Sequence, residues 1–262
     1  MRPLALVTGA SSGIGRELAR QFADHGFDLV IAARHEDLLD VGEELQRSGV
    51  AVTPVQVDLA TAAGVDELAA RVRASGAPLA AAALNVGTAA GGAFAGGTEL
   101  ADDLHLVDLN VRGTVQLAHH VVADMAARGE GRILFTSSIA SNMPGPYNAV
   151  YNASKSFVQA FALALRAELA HRGVHVTALM PGPTATGLFE KAGMGDTRVG
   201  SGAQDDPADV ARMGYDALME GRERVVASGL RPRVEALASR FVPDRVKAAL
   251  HGVLARPGAA GD

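Results

Sequence analysis

Tyr151 and Lys155 stand four residues apart in Tyr151-Asn152-Ala153-Ser154-Lys155, and on a helix that spacing puts both side chains on one face. A phenol titrates near 10, so at neutral pH only about one in a thousand is ionised. A lysine ammonium a few ångströms away favours the phenolate, and bringing the phenol to about 7 corresponds to roughly 4 kcal/mol. A phenol so placed can give or take a proton at neutral pH. Tyr-x-x-x-Lys occurs by chance in many helices, so the pair needs company. Ser137-Ser138 closes the apolar run Ile133-Leu134-Phe135-Thr136, thirteen residues before Tyr151. A hydroxyl at the carboxyl end of a parallel strand sits where open α/β sheets bind ligands. There it can hydrogen-bond a carbonyl that the phenol protonates. Asn110, in Leu109-Asn110-Val111-Arg112-Gly113, falls inside a helical segment, where asparagine is unfavourable and needs a reason. A solvated surface asparagine is the alternative.

A second constellation lies at the N-terminus. Thr8-Gly9-Ala10-Ser11-Ser12-Gly13-Ile14-Gly15 follows the first apolar run and opens the first helical stripe. Its G-x-x-x-G-x-G spacing differs from G-x-G-x-x-G but meets the same needs, a tight turn and close approach of backbone to a pyrophosphate. The helix N-terminus then offers unpaired N–H groups and partial positive charge to phosphates. Ordinary turn glycines are the alternative. Gly9-Ala10-Ser11-Ser12-Gly13 also matches the G-x-S-x-G elbow of α/β-hydrolases, with Ser11 as nucleophile. Only eight residues precede Gly9, too few to supply the oxyanion-hole loop that such an elbow requires. Arg34 follows Gly15 by nineteen residues, at the end of the second run, where a carboxylate would bind the ribose 2′-hydroxyl of NAD and an arginine accommodates the 2′-phosphate of NADP. The sequence there, Ala32-Ala33-Arg34-His35, has no carboxylate. NADP(H) is therefore preferred, with NAD(H) still open and a solvated loop arginine as the alternative.

These residues need a scaffold, and the hydrophobic pattern supplies one. Short apolar runs recur at Leu4–Val7, Leu29–Ala33, Val50–Val57, Leu79–Leu84, Arg132–Phe135, Val174–Met180 and Arg224–Ala227. Continuous runs of this kind suit strands covered on both faces. Between them lie helical stripes: Ile14, Leu18, Ala19 and Phe22, then Leu38, Leu39 and Leu45, later Val158, Phe161, Ala162, Leu165 and Leu169. The alternation predicts an α/β fold, a doubly wound, Rossmann-like parallel sheet with helices on both faces, in a single domain spanning residues 1–262. Two glycine-rich stretches, 86–98 and 183–206, read as functional loops, and substrate selection is expected from them and from 139–148. Met143, Pro144, Leu188, Phe189 and Met194 suggest a fairly apolar pocket. A helical C-terminal extension is expected over about 229–256, punctuated by Pro232 and Pro243.

Composition narrows the function. The 262 residues include no cysteine, which excludes disulfides, thiolate metal sites and a thiol nucleophile. With 24 Lys plus Arg against 29 Asp plus Glu, the net charge of −5 argues against a nucleic-acid partner. No Trp and only 4% aromatics offer no base-stacking platform. The longest stretch without Asp, Glu, Lys or Arg, from Ala74 to Thr98, holds Pro78, Asn85 and six glycines. It reads as a buried strand and a loop rather than a membrane span. The start of the chain shows no export signal, so the cytoplasm is the expected compartment. His171 and His175 have ligand-like spacing, but Gly173 between them is expected to end the helix, so no metal site is expected.

Taken together, the glycine turn Thr8–Gly15, Asp58 after the third run, Asn85-Val86-Gly87 after the fourth, Asn110, Ser138, Tyr151, Lys155 and Pro181-Gly182 resemble the classical short-chain dehydrogenase/reductase family. The likeness runs from Leu4 to about Ala227, and Val86 departs from the family's usual alanine. The resemblance implies that Gly9, Ser11, Ser12, Gly13, Ile14 and Gly15 surround the cofactor phosphates, with Ile14 on the nicotinamide side. It also implies that Asp58 and Leu59 contact the adenine, that Asn85 and Gly87 border the cofactor, and that Pro181, Gly182 and Thr186 hold the nicotinamide. A helix cap is the alternative role for Asp58. The expected activity is hydride transfer between NADP(H) and a carbonyl or secondary alcohol. Tyr151 would be the acid or base and Ser138 would polarise the carbonyl. Lys155 would tune the tyrosine and bind the ribose, while Asn110 anchors a water leading to solvent. A catalytically silent NADP(H) sensor is the alternative, and a serine hydrolase using Ser11 a remote one. A small carbonyl or alcohol substrate and a homodimer or homotetramer are the expected partners, with neither nucleic acid nor membrane.

Overall fold

Each apolar run becomes a strand whose ends differ from the expectation by at most two residues. The computed structural model describes residues 2–228 and 242–259. The strands are β1 (Leu4–Thr8), β2 (Asp28–Ala33), β3 (Val52–Gln56), β4 (Leu79–Leu84), β5 (Gly131–Thr136), β6 (Val174–Pro181) and β7 (Arg224–Ala227). They form one sheet in the order β3-β2-β1-β4-β5-β6-β7, and every neighbouring pair is parallel. The chain winds outward from β1 to β3, then returns to β4 on the other side of β1. The carboxyl ends of β1 and β4 thus flank the switch point, where ligands bind in open α/β sheets.

Helices cover both faces, so the strands need no polar alternation. Leu4 and Leu6 point into one core with Val65 and Leu68 of α3 (Ala62–Ala74), Leu117 and Val121 of α5 (Thr114–Arg128), and Val158 and Ala162 of α6 (Ala149–Leu169). Ala5 and Val7 point the other way, against Leu18 and Phe22 of α1 (Gly13–Asp24), Leu38 and Leu45 of α2 (Leu38–Gln46) and Tyr215 of α9 (Pro207–Met219). One stripe differs from its reading. Leu39 faces solvent, and Val41 joins Leu38 and Leu45 inside. The helix before β6 stops as expected, with Gly173 in the left-handed region (φ 67°).

Between β4 and β5 run α4 (Leu100–Val107), a widened π turn at Asp108–Gly113, and α5. The segment 183–206 carries the short helices α7 (Leu188–Lys191) and α8 (Arg198–Ser201). Asp205 closes its base by donating its N–H to Pro183 O (2.7 Å) and accepting from Ala185 N (3.0 Å). The C-terminal extension is described from 242 onward and contains a helix at Asp244–Ala255. Its expected first part, with Pro232, lies outside the described residues. No helix among the described residues is long and apolar enough to cross a membrane.

Candidate active site

The glycine turn sits at the end of β1 and is fixed from both sides. Gly9 and Ala10 donate their N–H groups to Ala32 O at the end of β2 (2.8 and 3.2 Å). Gly9 and Gly13 have φ of 69° and 55°, a region that only glycine enters without strain. A Cβ on Gly15 would overlap the Gly9 carbonyl oxygen, and one on Gly13 would stand 2.8 Å from Thr186 Cγ2. Ser12 is the exposed N-cap residue of α1 and its side chain makes no capping bond; the first turn holds no acidic residue. The leading N–H groups of α1 are thus left for an anion, and the cradle is one that side chains would fill. Ser11 and Ile14 are half-buried in the turn, and Ser11 makes no hydrogen bond to a histidine among the described residues, so it lacks the base a hydrolase needs.

Arg34 and Asp58, expected at the adenosine end, follow β2 and β3 on one side of β1. Arg34 is exposed just past β2 and forms no ion pair among the described residues; its carbonyl accepts from Gln56 Nε2 (3.1 Å). Asp58 does not cap α3. Thr61 does so by accepting from Gly64 N (3.0 Å), while Asp58 Oδ1 accepts from Ala60 N (2.9 Å). The Leu59 side chain belongs to the core, which leaves only its main chain to meet a ligand. A glycine turn of this shape, a bare helix start and an exposed arginine just past β2 with no ion pair among the described residues fit a phosphorylated dinucleotide.

Asn85 ties the strand ends together. Its Nδ2 donates to Thr8 O (3.2 Å) and its Oδ1 accepts from Thr136 Oγ1 (3.0 Å). Thr8 Oγ1 in turn accepts from the N–H groups of Asn85 and Val86 (3.0 and 3.1 Å). The extra methyls of Val86 pack against the core without displacing this lattice. On the far side, Pro181 ends β6 and Gly182 packs so tightly on Ser228 that a Cβ there would clash with its side chain. Ser228 Oγ donates to Asp205 Oδ2 (2.6 Å), which locks the root of the 183–206 segment.

The four residues expected to do chemistry converge at the ends of β4 and β5. Lys155 is 5% exposed, donates from Nζ to Thr136 O (3.0 Å) and lies 5.9 Å from the centroid of the Tyr151 ring. Gly87 fits between Lys155 and Asn110: a Cβ on it would be 3.1 Å from Lys155 Nζ and 3.2 Å from Asn110 Oδ1. Asn110 is 1% exposed, which removes the reading of a solvated asparagine. It lies on the π turn, a feature often found at functional sites. Its Nδ2 donates to Thr88 O (2.9 Å) and Ser154 Oγ (3.1 Å), and its Oδ1 accepts from Thr88 N (2.9 Å). Ser138 is buried and caps the short turn Ile139–Asn142, its Oγ accepting from Ala140 N (3.1 Å).

Electrostatics differ from the sequence expectation for the tyrosine. Burial pushes the Tyr151 phenol up, against the opposing pull of a hydrogen bond with the Ser138 hydroxyl. Lys155 lies toward the ring face, and its own pKa is lowered by burial from the ordinary 10.5 to about 8. The net direction for the phenol is therefore upward. At neutral pH it keeps its proton.

Three loops meet above these residues. Gly91 donates its N–H to Ala192 O and Gly92 to Tyr147 O (both 2.9 Å). Met194 and Ala192 are buried with Ala255 of the last helix, and Phe189, Tyr147 and Ala89 pack against them. Met194 thus fills the seam between loops, while Pro144 is exposed. Tyr147 has φ 66°, the one non-glycine residue with positive φ among those described. Sequence reading passed over Thr136, Thr88, Ser154, Tyr147 and Asn152. The first ends an apolar run with a hydroxyl and could have been singled out; the others carry no local signal.

The family model described as short chain dehydrogenase matches residues 3–196. Sulfoacetaldehyde reductase 2 of Chromohalobacter salexigens is 37% identical over 191 residues, 71% of this chain and 74% of that protein. A short-chain dehydrogenase from Sphingobium yanoikuyae, solved in complex with NADPH, superposes with a TM-score of 0.81 at 29% identity, covering 91% of this chain and 93% of that one. L-Sorbose reductase from Gluconobacter frateurii, solved with NADPH and L-sorbose, gives 0.75 at 26% identity over 88% and 97% of the two chains.

Proposed function

The chain belongs to the short-chain dehydrogenase family, and on that premise we propose that it is an NADP(H)-dependent oxidoreductase acting on a carbonyl or secondary alcohol. The observation that carries this is the convergence of Tyr151, Ser138, Lys155 and Asn110 beside a glycine cradle shaped for a dinucleotide. The turn Gly9–Gly15, with Ser11, Ser12 and Ile14, would hold the pyrophosphate. Arg34 would take the 2′-phosphate, and Asp58 with the main chain of Leu59 the adenine. Gly87, Pro181, Gly182 and Thr186 would border the nicotinamide half. Bound NADPH supplies the hydride.

The protein's share is proton delivery and alignment. Tyr151, protonated at neutral pH, gives its proton to the carbonyl oxygen in reduction and takes it back in oxidation. The Ser138 hydroxyl donates a hydrogen bond to the same oxygen and stabilises the charge that develops there. Lys155 holds positive charge near the phenol and favours its conjugate base once the proton has left. Asn110 fixes Thr88 and Ser154, and with them the backbone beside Lys155. The relatives named above act, by their names, on sulfoacetaldehyde and L-sorbose, both carbonyl compounds, which supports the substrate class. Exposed Leu104 and Val107 on α4 and Phe157 on the neighbouring α6 support a homo-oligomer built through these helices.

The test is Tyr151→Phe with a panel of aldehydes and ketones and NADPH. We expect turnover to vanish while NADPH binding changes by less than about twofold, because the phenol hydroxyl acts on the substrate oxygen. Retained turnover overturns the assignment. Tight NADPH binding by the unaltered chain with no turnover of any carbonyl favours a sensor.

A further inference from the structure

His251, on the last helix, reaches back into the catalytic loop. Its Nδ1 lies 3.2 Å from Pro146 O and its Nε2 lies 3.4 Å from Asn152 Nδ2. A carbonyl can only accept, so Nδ1 carries the hydrogen and Nε2 is left to accept from the asparagine amide. Burial pushes the imidazole pKa down, with the Pro146 hydrogen bond opposing, so the ring is neutral at pH 7 and Nε2 keeps its lone pair.

Asn152 adjoins Tyr151 and governs the loop that bears Ser138. Its Nδ2 donates to Ala140 O (3.2 Å), inside the turn that Ser138 caps, and to Met143 O (3.1 Å), just past it. Turning the amide over would place its oxygen against both carbonyls, so the orientation is fixed. The Oδ1 that results is buried and has no hydrogen-bond partner among the described residues, and an orphaned acceptor costs about 1–3 kcal/mol. Gly145 packs against the same amide so closely that any side chain there would overlap it. Its two amide hydrogens serve three acceptors, Ala140 O, Met143 O and, as the longest and shared contact, His251 Nε2.

We propose that His251 is a positioning residue for Ser138, acting through Asn152: it holds the asparagine amide so that the turn 139–143 keeps the serine hydroxyl beside the Tyr151 phenol. The inference rests on the reductase reading of the site. The C-terminal helix is then part of the substrate-side apparatus rather than an appendage. The pin crosses 105 residues to Pro146 and 99 to Asn152.

Three substitutions separate the two bonds. The amide of His251→Asn falls where Nδ1 stands and keeps the bond to Pro146. The amide of His251→Gln reaches where Nε2 stands and keeps the contact with Asn152. His251→Leu keeps neither. We expect His251→Leu and His251→Asn to lower kcat about tenfold, since a sub-ångström to 1 Å misplacement of a reacting group can cost up to about a hundredfold. We expect His251→Gln to recover to within about threefold, with the Kd for NADPH unchanged in all three because its cradle lies on other elements. Equal recovery by His251→Asn, or a kcat loss that tracks the drop in Tm, would reduce His251 to a helix anchor and overturn the proposal. Full turnover by His251→Leu overturns it while leaving the reductase reading intact. Absence of carbonyl turnover in the unaltered chain overturns both.

Discussion

Gly15 lies directly beneath Gly9: a Cβ at position 15 would overlap the Gly9 carbonyl oxygen and stand 2.6 Å from Asn85 Nδ2. Neither neighbour can retreat cheaply, because Gly9 N is bonded to Ala32 O and Asn85 Nδ2 to Thr8 O. Gly15→Ala must therefore open the turn, and overpacking of this sort costs about 1–3 kcal/mol. For a chain of this size that is a fall in Tm of about 2–12 °C. NADPH affinity should fall at least about tenfold, since about 1.4 kcal/mol of lost phosphate contact suffices for that. Titration of nicotinamide fluorescence alongside a thermal melt checks both. An unchanged Kd would show that the backbone at Gly9 does not approach the phosphates.

Arg34 is exposed and unpaired among the described residues, so its guanidinium is available to a 2′-phosphate at no cost in broken ion pairs. A charged hydrogen bond contributes about 1.5–3 kcal/mol, or roughly ten- to hundredfold in affinity. Arg34→Ala should weaken NADPH by that factor and leave NADH within about twofold. The chain has no Trp, so the emission of bound nicotinamide can be read without the strongest intrinsic emitter. A matched loss for both cofactors would assign Arg34 to the ribose edge or the adenine instead.

Lys155 weakens the fold it serves. Its pKa falls from 10.5 to about 8 on burial, so between those values the unfolded chain binds more protons than the folded one. Stability from this group therefore rises with pH from about 8 to 10.5, and below pH 8 the full penalty applies, about 3 kcal/mol. Lys155→Met removes the penalty and fits the same stem. At pH 7 it should unfold at equal or higher denaturant than the unaltered chain while losing turnover. The difference between the two proteins should shrink as pH rises to 10.5. A difference independent of pH would show that the buried ammonium is not strained.

The sheet was legible because strands buried on both faces need unbroken apolar runs, and β1, β2 and β4 have them, whereas edge strand β3 exposes Thr53 and Gln56 beside its valines. Tyr151 and Lys155 were legible because one helix fixes their spacing. Asn110 could be picked out by its residue type, but the π turn that buries it adds one residue to a helical turn and leaves no compositional mark. Leu39 was misplaced because adjacent leucines leave the phase of a short stripe open, and Val41 settles it. The helix cap held open as the alternative role for Asp58 belongs to Thr61, which stands closer to the first turn. His251 had no signal at all. Its partners lie about a hundred residues upstream, on a loop whose path only the packed structure reveals.

Asn110 holds Thr88 by both of its main-chain groups and Ser154 by its hydroxyl, all with a side chain that is 1% exposed. Asn110→Ala would leave the Thr88 N–H and C=O without partners, at about 1–3 kcal/mol for each group that water cannot reach. It would also open space beside Gly87, where in the unaltered chain a Cβ would meet Asn110 Oδ1 at 3.2 Å. We expect a clear loss of stability together with a fall in kcat. Asn110→Asp sharpens the test. The carboxylate can accept from Thr88 N but cannot donate to Thr88 O or Ser154, and burial raises its pKa. The folded variant then binds more protons than the unfolded one, so its deficit against the unaltered chain should be smallest at mildly acid pH and grow as pH rises toward 7. Denaturant midpoints measured at several pH values decide the matter. A deficit that stays constant would mean that the amide donors of Asn110 do not carry the clamp.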